Sequence, residues 1–519
     1  MTQKLNQWKE TLVGVILALV LVISGFYNGE ITSYAMETGI AISSAEDLEK
    51  LRYSQPGMRY YLTNDINMHY YGLWEPIEEF KGVLDGNGHV IEGLTSNQGG
   101  LIKYLGENAT VENLILKDVN INVTAYEYSS IGGIVGSIDG SSIENEGGVI
   151  KKCAVAGEIR ITTNGDDSPS VEVGGIVGGG MGMVIECFNC SIVEIECNSR
   201  YFDSYLEAGG IAGNMKSIYN CINKGSAQVS NDSLVVSQYC ALGAGGIASR
   251  ASKVMNCYSS GYTSAFSRAS LCSTGWIGSG GILAYADNDT YVYGCYETSG
   301  KPFGVEKETT ATANYVSPYE FADKKTFKEF DFNNVWDLEK GIEDSQPFLR
   351  WMQPHITLPS PYADMKKGVY ENPINVDLFD DVKGATIYYT TDGSTPTKDS
   401  PVYNKTIKIT KNTTLKTLAI YGDYKNSKVV TYQYKIKVKK PTANVRGGTR
   451  VKKGTKIRLV SSTKGATIYY TTDGRTPTTK SKKYTKPIVI NKNATIRAIA
   501  VKDGMTQSSI VNFRYILKK

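Results

Sequence analysis

The sequence predicts an all-β protein, a right-handed parallel β-helix of about six coils followed by two small antiparallel β-sandwiches. Three observations carry this. A doubled glycine recurs as Gly99-Gly100, Gly132-Gly133, Gly174-Gly175, Gly209-Gly210, Gly245-Gly246 and Gly280-Gly281, in steps of 33, 42, 35, 36 and 35 residues. Midway through each unit stands Leu114, then Cys153, Cys187, Cys221, Cys257 and Cys295, each three residues after a Val or Ile. Finally, Gly384-Ala-Thr-Ile-Tyr-Tyr-Thr-Thr-Asp-Gly393 returns 81 residues later as Gly465 to Gly474.

Downstream of each landmark the small and apolar residues fall on every second position, as in Cys153, Val155, Gly157, Ile159 and Ile161 or Cys221, Asn223, Gly225, Ala227 and Val229. That is the period of a strand. A unit of short strands and glycine turns buries its apolar side by winding, each turn of chain hydrogen-bonding to the next.

In chain order, Lys4 and Lys9 precede the apolar run Leu12 to Ile23, and Ser33-Tyr-Ala35 offers a peptidase site, so residues 1–35 read as a signal peptide or a membrane anchor. Export follows in either case, with the protein secreted or at the cell surface. Residues 36–98 form an N-terminal cap. A short helix is expected from Ile42, with Ser43 and Glu46 as its capping box. A strand spans Tyr60 to Met68, and a tight turn follows at Asp85-Gly-Asn-Gly-His89. The coils occupy 99–300 and a C-terminal cap 301–353. The sandwiches occupy 354–440 and 441–519, each with an Asp-Gly turn opening a hairpin.

The segments LTNDIN at 62–67 and GLWEPIEEFKGVLDGNGHVIEGL at 72–94, with GGIVG at 132–136 and GGIAG at 209–213, resemble secreted bacterial β-helix proteins with GLUG-type repeats over about 42–353. Relatives in that family include surface adhesins and the non-catalytic part of large peptidases similar to the immunoglobulin A1 proteases, so the resemblance implies fold and not activity. Both tail copies resemble the chitobiase/β-hexosaminidase C-terminal-type domain, an immunoglobulin-like accessory module that brings no catalytic residue.

Charge divides the chain. From Pro354 to Lys519 there are 32 Lys+Arg and 10 Asp+Glu, a net charge of +22, while residues 1–353 carry 24 against 42, a net charge of −18. The second sandwich alone has 18 basic residues and two acidic ones. Such a field attracts polyanions over a Debye length of about 8 to 10 Å.

The histidines are His69, His89 and His355, with no HExxH pair, and no G-x-S-x-G elbow is present. Asp166-Asp167, adjacent in a polar loop, read as loop acids, and Asp65 and Asp85 as turn acids. A cluster of three or more acids with Lys or Arg on one face of the coils is not expected. The cysteine ladder wants a small apolar side chain, so buried thiols are expected there, with one or two bridges open among Cys190, Cys197, Cys240 and Cys272. Cofactors and metals are not expected.

The expectation is a non-catalytic secreted or cell-surface protein for adhesion or for binding a glycan or cell-wall polymer. The alternative is a β-helix polysaccharide lyase or glycoside hydrolase with accessory domains. Candidate ligand-binding residues are Tyr389 and Thr390 beside Tyr388 in the first copy, Tyr469 and Tyr470 in the second, and Lys452, Lys453, Lys482 and Lys483. Expected partners are an extracellular glycan or anionic cell-wall polymer, with a host or neighbouring-cell surface protein as a further class. Nucleic acid is not expected, and membrane contact only through 1–35.

Overall fold

The doubled glycines are the places where the chain turns from one sheet into the next with no room for a side chain. A Cβ on Gly132, Gly174, Gly209, Gly245 or Gly280 would run into the carbonyl oxygen three residues on, that of Val135, Val177, Ala212, Ala248 or Leu283. On the second glycine of the pair it would strike the interior column formed by Val155, Asn189, Asn223, Ser259 and Glu297. Glycine is required at both positions by packing against backbone and stacked side chains.

These turns belong to a computed structural model that describes residues 39–518 apart from 141–146, 165–168, 200, 234, 237–239, 269–275, 308, 310, 318–319, 322 and 340–341. The expected export segment 1–35, Asp166, Asp167 and Cys272 lie outside the described residues. Among the described residues no helix is long and apolar enough to cross a membrane. The chain divides into two units, 1–337 with 347–351, and 338–346 with 352–519.

The first unit winds as a parallel β-helix with three long sheets. The first runs from Ile40–Ile42 through Thr110–Glu112, Val177–Ile185, Ala212–Tyr219 and Ala248–Met255 to Phe303–Glu306. The second holds Ile115–Ala125, Ala154–Thr163, Ile192–Cys197, Ser226–Asn231 and Thr263–Ser267. The third has five strands, Ser129–Gly132, Val171–Gly174, Tyr205–Gly209, Ala241–Gly245 and Trp276–Gly280. Equivalent residues sit directly above one another, as in Ile121↔Ile159↔Val193. Most interior positions therefore stack like on like, and the buried apolar side chains form one continuous cluster from Ile42 to Phe303, beside the polar column of Asn189, Asn223, Ser259 and Glu297.

The passage from the first sheet to the second is made by one left-handed residue per coil: Asn113 (φ 53°), Lys152 (53°), Glu186 (54°), Asn220 (51°), Asn256 (52°) and Gly294 (62°). Each directly precedes the Leu or Cys landmark, which the turn drives into the core. Leu114 and all five cysteines of the ladder are fully buried. The backbone N–H of Cys187 points at Cys221 Sγ (3.4 Å) and that of Cys221 at Cys257 Sγ (3.3 Å), so the ladder is a single interior column. Burial pushes the Cys153, Cys221 and Cys295 thiols well up, and a protonated thiol is a poor nucleophile. Cys197 and Cys240 are buried thiols and Cys190 an exposed one, so these three do not bridge one another.

Asn tolerates the left-handed region and Lys does not, a residue-level cost of about 1 kcal/mol. Lys152→Asn is accordingly expected to raise the unfolding midpoint of the coils by about 2 °C, measured by thermal unfolding. An unchanged or lowered midpoint would contradict the role given to this turn.

The caps differ in detail from expectation. A short helix is present as a 3₁₀ segment at Glu46–Tyr53, but Ser43 and Glu46 do not form its box. Ser43 instead donates through both N–H and Oγ to Asp47 (2.9 and 2.6 Å), and Asp47 N–H donates to Ser44 Oγ. The strand expected over 60–68 is broken into Arg59–Leu62 and Ile66–Asn67, because Asp65 turns out to accept from Val90 N–H (3.0 Å) and faces His89 (3.3 Å). At the other end Phe330 stacks on Trp336 at 3.9 Å, Phe327 packs on Tyr258 and Tyr296, and Trp351 Nε1 donates to the Glu186 carbonyl (2.8 Å).

The second unit consists of two small, mainly antiparallel sandwiches built alike. Thr386–Thr390 pairs with Thr413–Ile420, and Thr467–Thr471 with Ala494–Val501. Each has its own core, around Leu415, Tyr434 and Ile436 in the first and Ile457, Ile496 and Tyr515 in the second. Met505 packs against both cores, and Thr506 N–H and the Ile436 carbonyl bond at 2.8 Å. Asn412 Oδ1 accepts from Ile436 N–H and Thr506 Oγ1 (2.9 and 3.2 Å), so the two copies are bonded to one another.

Candidate functional site

The tail's candidate site grows from the strand that carries the repeated tyrosine pair. In the second copy Thr467–Thr471 is flanked by Lys482–Lys483, with Tyr469 opposite Lys483 and Tyr470 opposite Lys482. Strand alternation sends Tyr470 inward, 7% exposed and edge-on to Tyr484 at 6.1 Å. Lys482 Nζ lies over its ring at 6.0 Å. Beside them opens a cavity of about 630 Å³ lined by Thr471, Asp473, Arg475, Ser481, Lys482 and Lys486 among others.

The walls are set by local chemistry. Asp473 accepts from Arg475 N–H (3.1 Å) and closes the Asp-Gly turn. Arg497 donates to the Gly474 carbonyl, Thr476 Oγ1 and Asn512 Oδ1. Arg475, Lys482 and Lys486 are the cations of the groove, and its one acid, Asp473, lies 3.5 Å from Arg475 Nε in an exposed pair. Removing 81 from each number shows that the first copy has Ser394, Pro401 and Lys405 at those places. The repeat keeps the fold and changes the charge.

Of the expected residues, Tyr469, Tyr470, Lys482 and Lys483 are therefore brought together. Lys452 and Lys453 stand apart, on the turn after Arg450–Val451. Tyr388, Tyr389 and Thr390 are half-buried, and Tyr389 packs edge-on against Tyr403 at 6.5 Å. The solvent-facing aromatic pair of the tail is a different one, Tyr362 and Phe379, which stack at 5.7 Å across paired strands and are 47% and 46% exposed. They are 17 residues apart in sequence, and only strand pairing reveals them.

The coils correct a second expectation. Acids do gather on one face with a cation. Glu172 accepts from Tyr128 OH (3.0 Å) and Asn214 Nδ2 (3.2 Å). Glu207, on the next coil, is fully buried with Arg250 Nε 2.6 Å from its Oε1. Asp287 and Asp289 line a cavity of about 170 Å³ together with Arg250. Burial pushes Glu207 up to about 7 despite Arg250, and raises Glu172. These residues are far apart in sequence and meet only because Glu172↔Glu207 and Asn214↔Arg250 are vertical neighbours on facing strands. Elsewhere His69, Glu92 and Asp118 lie close enough to share an ion. Lys117 Nζ is already 2.5 Å from Glu92 and 3.5 Å from Asp118, which supplies the counter-charge.

Fold and groove together define a class, a parallel β-helix followed by paired immunoglobulin-like modules. Residues 365–431 and 445–512 each match the family model of the chitobiase/β-hexosaminidase C-terminal domain. Halomucin of Haloquadratum walsbyi is 32% identical over 118 residues, covering 21% of this chain and 1% of that protein. This chain thus spans a small fraction of that relative. Among solved structures, a Bacteroides ovatus protein provisionally named an immunoglobulin A1 protease aligns over 60% of this chain and 92% of its own at 17% identity and a TM-score of 0.40. Fibronectin(III)-like modules of Clostridium thermocellum CbhA align over 30% and 94%, at 17% identity and a TM-score of 0.14.

Proposed function

We propose that this is a non-catalytic surface protein whose basic tail binds an anionic polymer of the cell envelope or its surroundings, through the groove of the second sandwich. The observation that carries the reading is the set Arg475, Lys482 and Lys486 around one open cavity, in a copy where the sister module has Ser394, Pro401 and Lys405. The tail's net charge of +22 supplies the long-range attraction, and the groove supplies a place for a phosphate, sulfate or carboxylate to sit.

The acid cluster on the coils does not favour catalysis. Glu207, the acid nearest neutrality in its titration, has no exposed surface, and a general acid must come within hydrogen-bond reach of its substrate. Glu172 is held by two donors on the protein itself.

Two groove cations at about 1 kcal/mol each against an anionic surface make roughly a 30-fold change in affinity. Binding of the full chain to teichoic acid is expected to weaken by about that factor in the double variant Arg475→Ser, Lys482→Ala, and to weaken in wild type as salt is raised from 50 to 500 mM. Salt-independent binding, or equal binding by the variant, would rule the groove out. New reducing ends released from a polysaccharide by the chain would rule out the non-catalytic reading.

A further inference from the structure

The third sheet and the strands of the first sheet that follow it share an outer face on the coils. Its floor is read from register. Tyr104, Ser137, Gly179, Asn214 and Arg250 are vertical neighbours on the first sheet, and the pairing Ala248↔Leu283 brings Tyr285 level with Arg250. On the third sheet Glu172, Glu207, Gly243 and Gly278 form one column, and Tyr205, Ala241 and Trp276 the next. From Tyr104 to Tyr285 is five coil steps, about 24 Å.

Cavities open at both ends of this face. One, of about 360 Å³, lies among Tyr104, Tyr128, Gln98, Lys103, Glu78 and Ser137. The other, of about 170 Å³, lies among Arg250, Asn214, Ser252, Tyr285, Asp287 and Thr290. Three rings on this face stand out to solvent, Tyr128 at 62% and Tyr104 at 43% in the larger cavity and Tyr205 at 42% exposed beside Arg250. Trp276 and Tyr285 lie half-buried with ring centres 5.0 Å apart.

The polar groups are held ready. Tyr128 and Asn214 fix both oxygens of Glu172. Arg250 is pinned between the buried Glu207 carboxylate and the face of Tyr205, 5.4 Å away. Its contact with Glu207 is through the buried Nε, while the side chain as a whole is 35% exposed and Arg250 lines the smaller cavity. A buried carboxylate with no hydrogen bond of its own is a costly way to hold one arginine, and the return is a fixed, outward donor fork.

We propose that this face is a binding groove for a neutral glycan chain laid along the coil axis, with Tyr104 and Tyr128 at one end and Arg250, Tyr205 and Tyr285 at the other. Aromatic faces meet the apolar faces of sugar rings, while amide, guanidinium and carboxylate groups exchange hydrogen bonds with hydroxyls. An anionic chain is disfavoured, because Glu75, Glu78 and Glu127 line the larger cavity against Lys103 alone. An added peptide strand is disfavoured along the length of the face because its inner strands are paired on both sides, and the third sheet offers an edge only at its two ends, Ser129–Gly132 and Trp276–Gly280. The groove lies on a different unit from the basic tail and takes a ligand of different charge, so it goes beyond the function proposed above.

The test is titration of the full chain with neutral hexaoses of the cello, xylo, manno and chito series, followed by calorimetry. At least one hexaose is expected to bind, more than tenfold tighter than its trisaccharide, and with an affinity unchanged between 50 and 500 mM salt. Tyr104→Ala and Tyr205→Ala, both at exposed rings, are each expected to weaken it at least fivefold, while Lys482→Ala in the tail leaves it unchanged. Absence of binding by all four hexaoses overturns the proposal. So does binding that the two tyrosine variants do not alter, or that Lys482→Ala abolishes.

Discussion

Gly209→Ala is expected to destabilise the coils by about 3 kcal/mol or more, the upper end of overpacking in a filled core. The added methyl would press on the Ala212 carbonyl, its carbon and the Ala248 Cα. All of these are backbone atoms held by the coil-to-coil bonds Ala212 N–H to the Ile247 carbonyl and Gly210 N–H to the Gly245 carbonyl. A flexible side chain could swing aside, but this ladder cannot without breaking hydrogen bonds in two coils. Chemical unfolding monitored by circular dichroism reads the loss directly. Gly422→Ala is the control, since a Cβ there meets nothing within 4 Å. At that left-handed glycine (φ 48°) only the backbone cost of about 1 kcal/mol should appear, and it falls in the first sandwich. Equal losses for the two variants would mean that the doublets are recurring turns of no special tightness and that the stacking account is wrong.

The spacing of these glycines makes the coils legible in the sequence, because a repeat that stacks on itself must restate its constraints once per turn. The same holds for Leu114 and the five cysteines, and for the Tyr-Tyr-Thr-Thr-Asp-Gly strands of the tail. What the sequence hid is whatever depends on vertical register. Nothing local joins Tyr128, Glu172, Asn214 and Arg250, which span 122 residues and touch because insertions of unequal length are absorbed outside the ladder. The left-handed residues were hidden for another reason. Three of the six are Asn, which signals such a turn, but Lys152 and Glu186 do not, and there the stack imposes the conformation on an unwilling residue. In the tail, the tyrosine pair drew attention through repetition. Yet the residues that distinguish the copies are those that fail to repeat, Arg475 and Lys482.

Arg250→Ala is expected to cost the coils much more stability at pH 8 than at pH 4.5. Glu207 is fully buried and its pKa is raised from the ordinary 4.5 to about 7, chiefly by burial and against the pull of Arg250. A carboxyl raised on folding holds its proton more tightly in the native state. Its favourable contribution is complete below pH 4.5 and is lost as pH climbs through 7, when the folded protein must bury a charge that the unfolded chain gives to water. At about 1.4 kcal/mol per pH unit, that loss is roughly 3 kcal/mol in wild type. Without Arg250 the buried charge has no partner, a situation that costs about 3 to 5 kcal/mol on removal of one member of such a pair, whereas the protonated acid at pH 4.5 needs none. Glu207→Gln should behave in the opposite sense, flattening the pH dependence by carrying no proton to lose. Comparing each variant with wild type at both pH values cancels the titration of the many other acids in this unit. If Arg250→Ala costs the same at pH 4.5 and pH 8, Glu207 is not the charge that Arg250 balances, and the donor fork at the mouth of the smaller cavity has lost the anchor that fixes it.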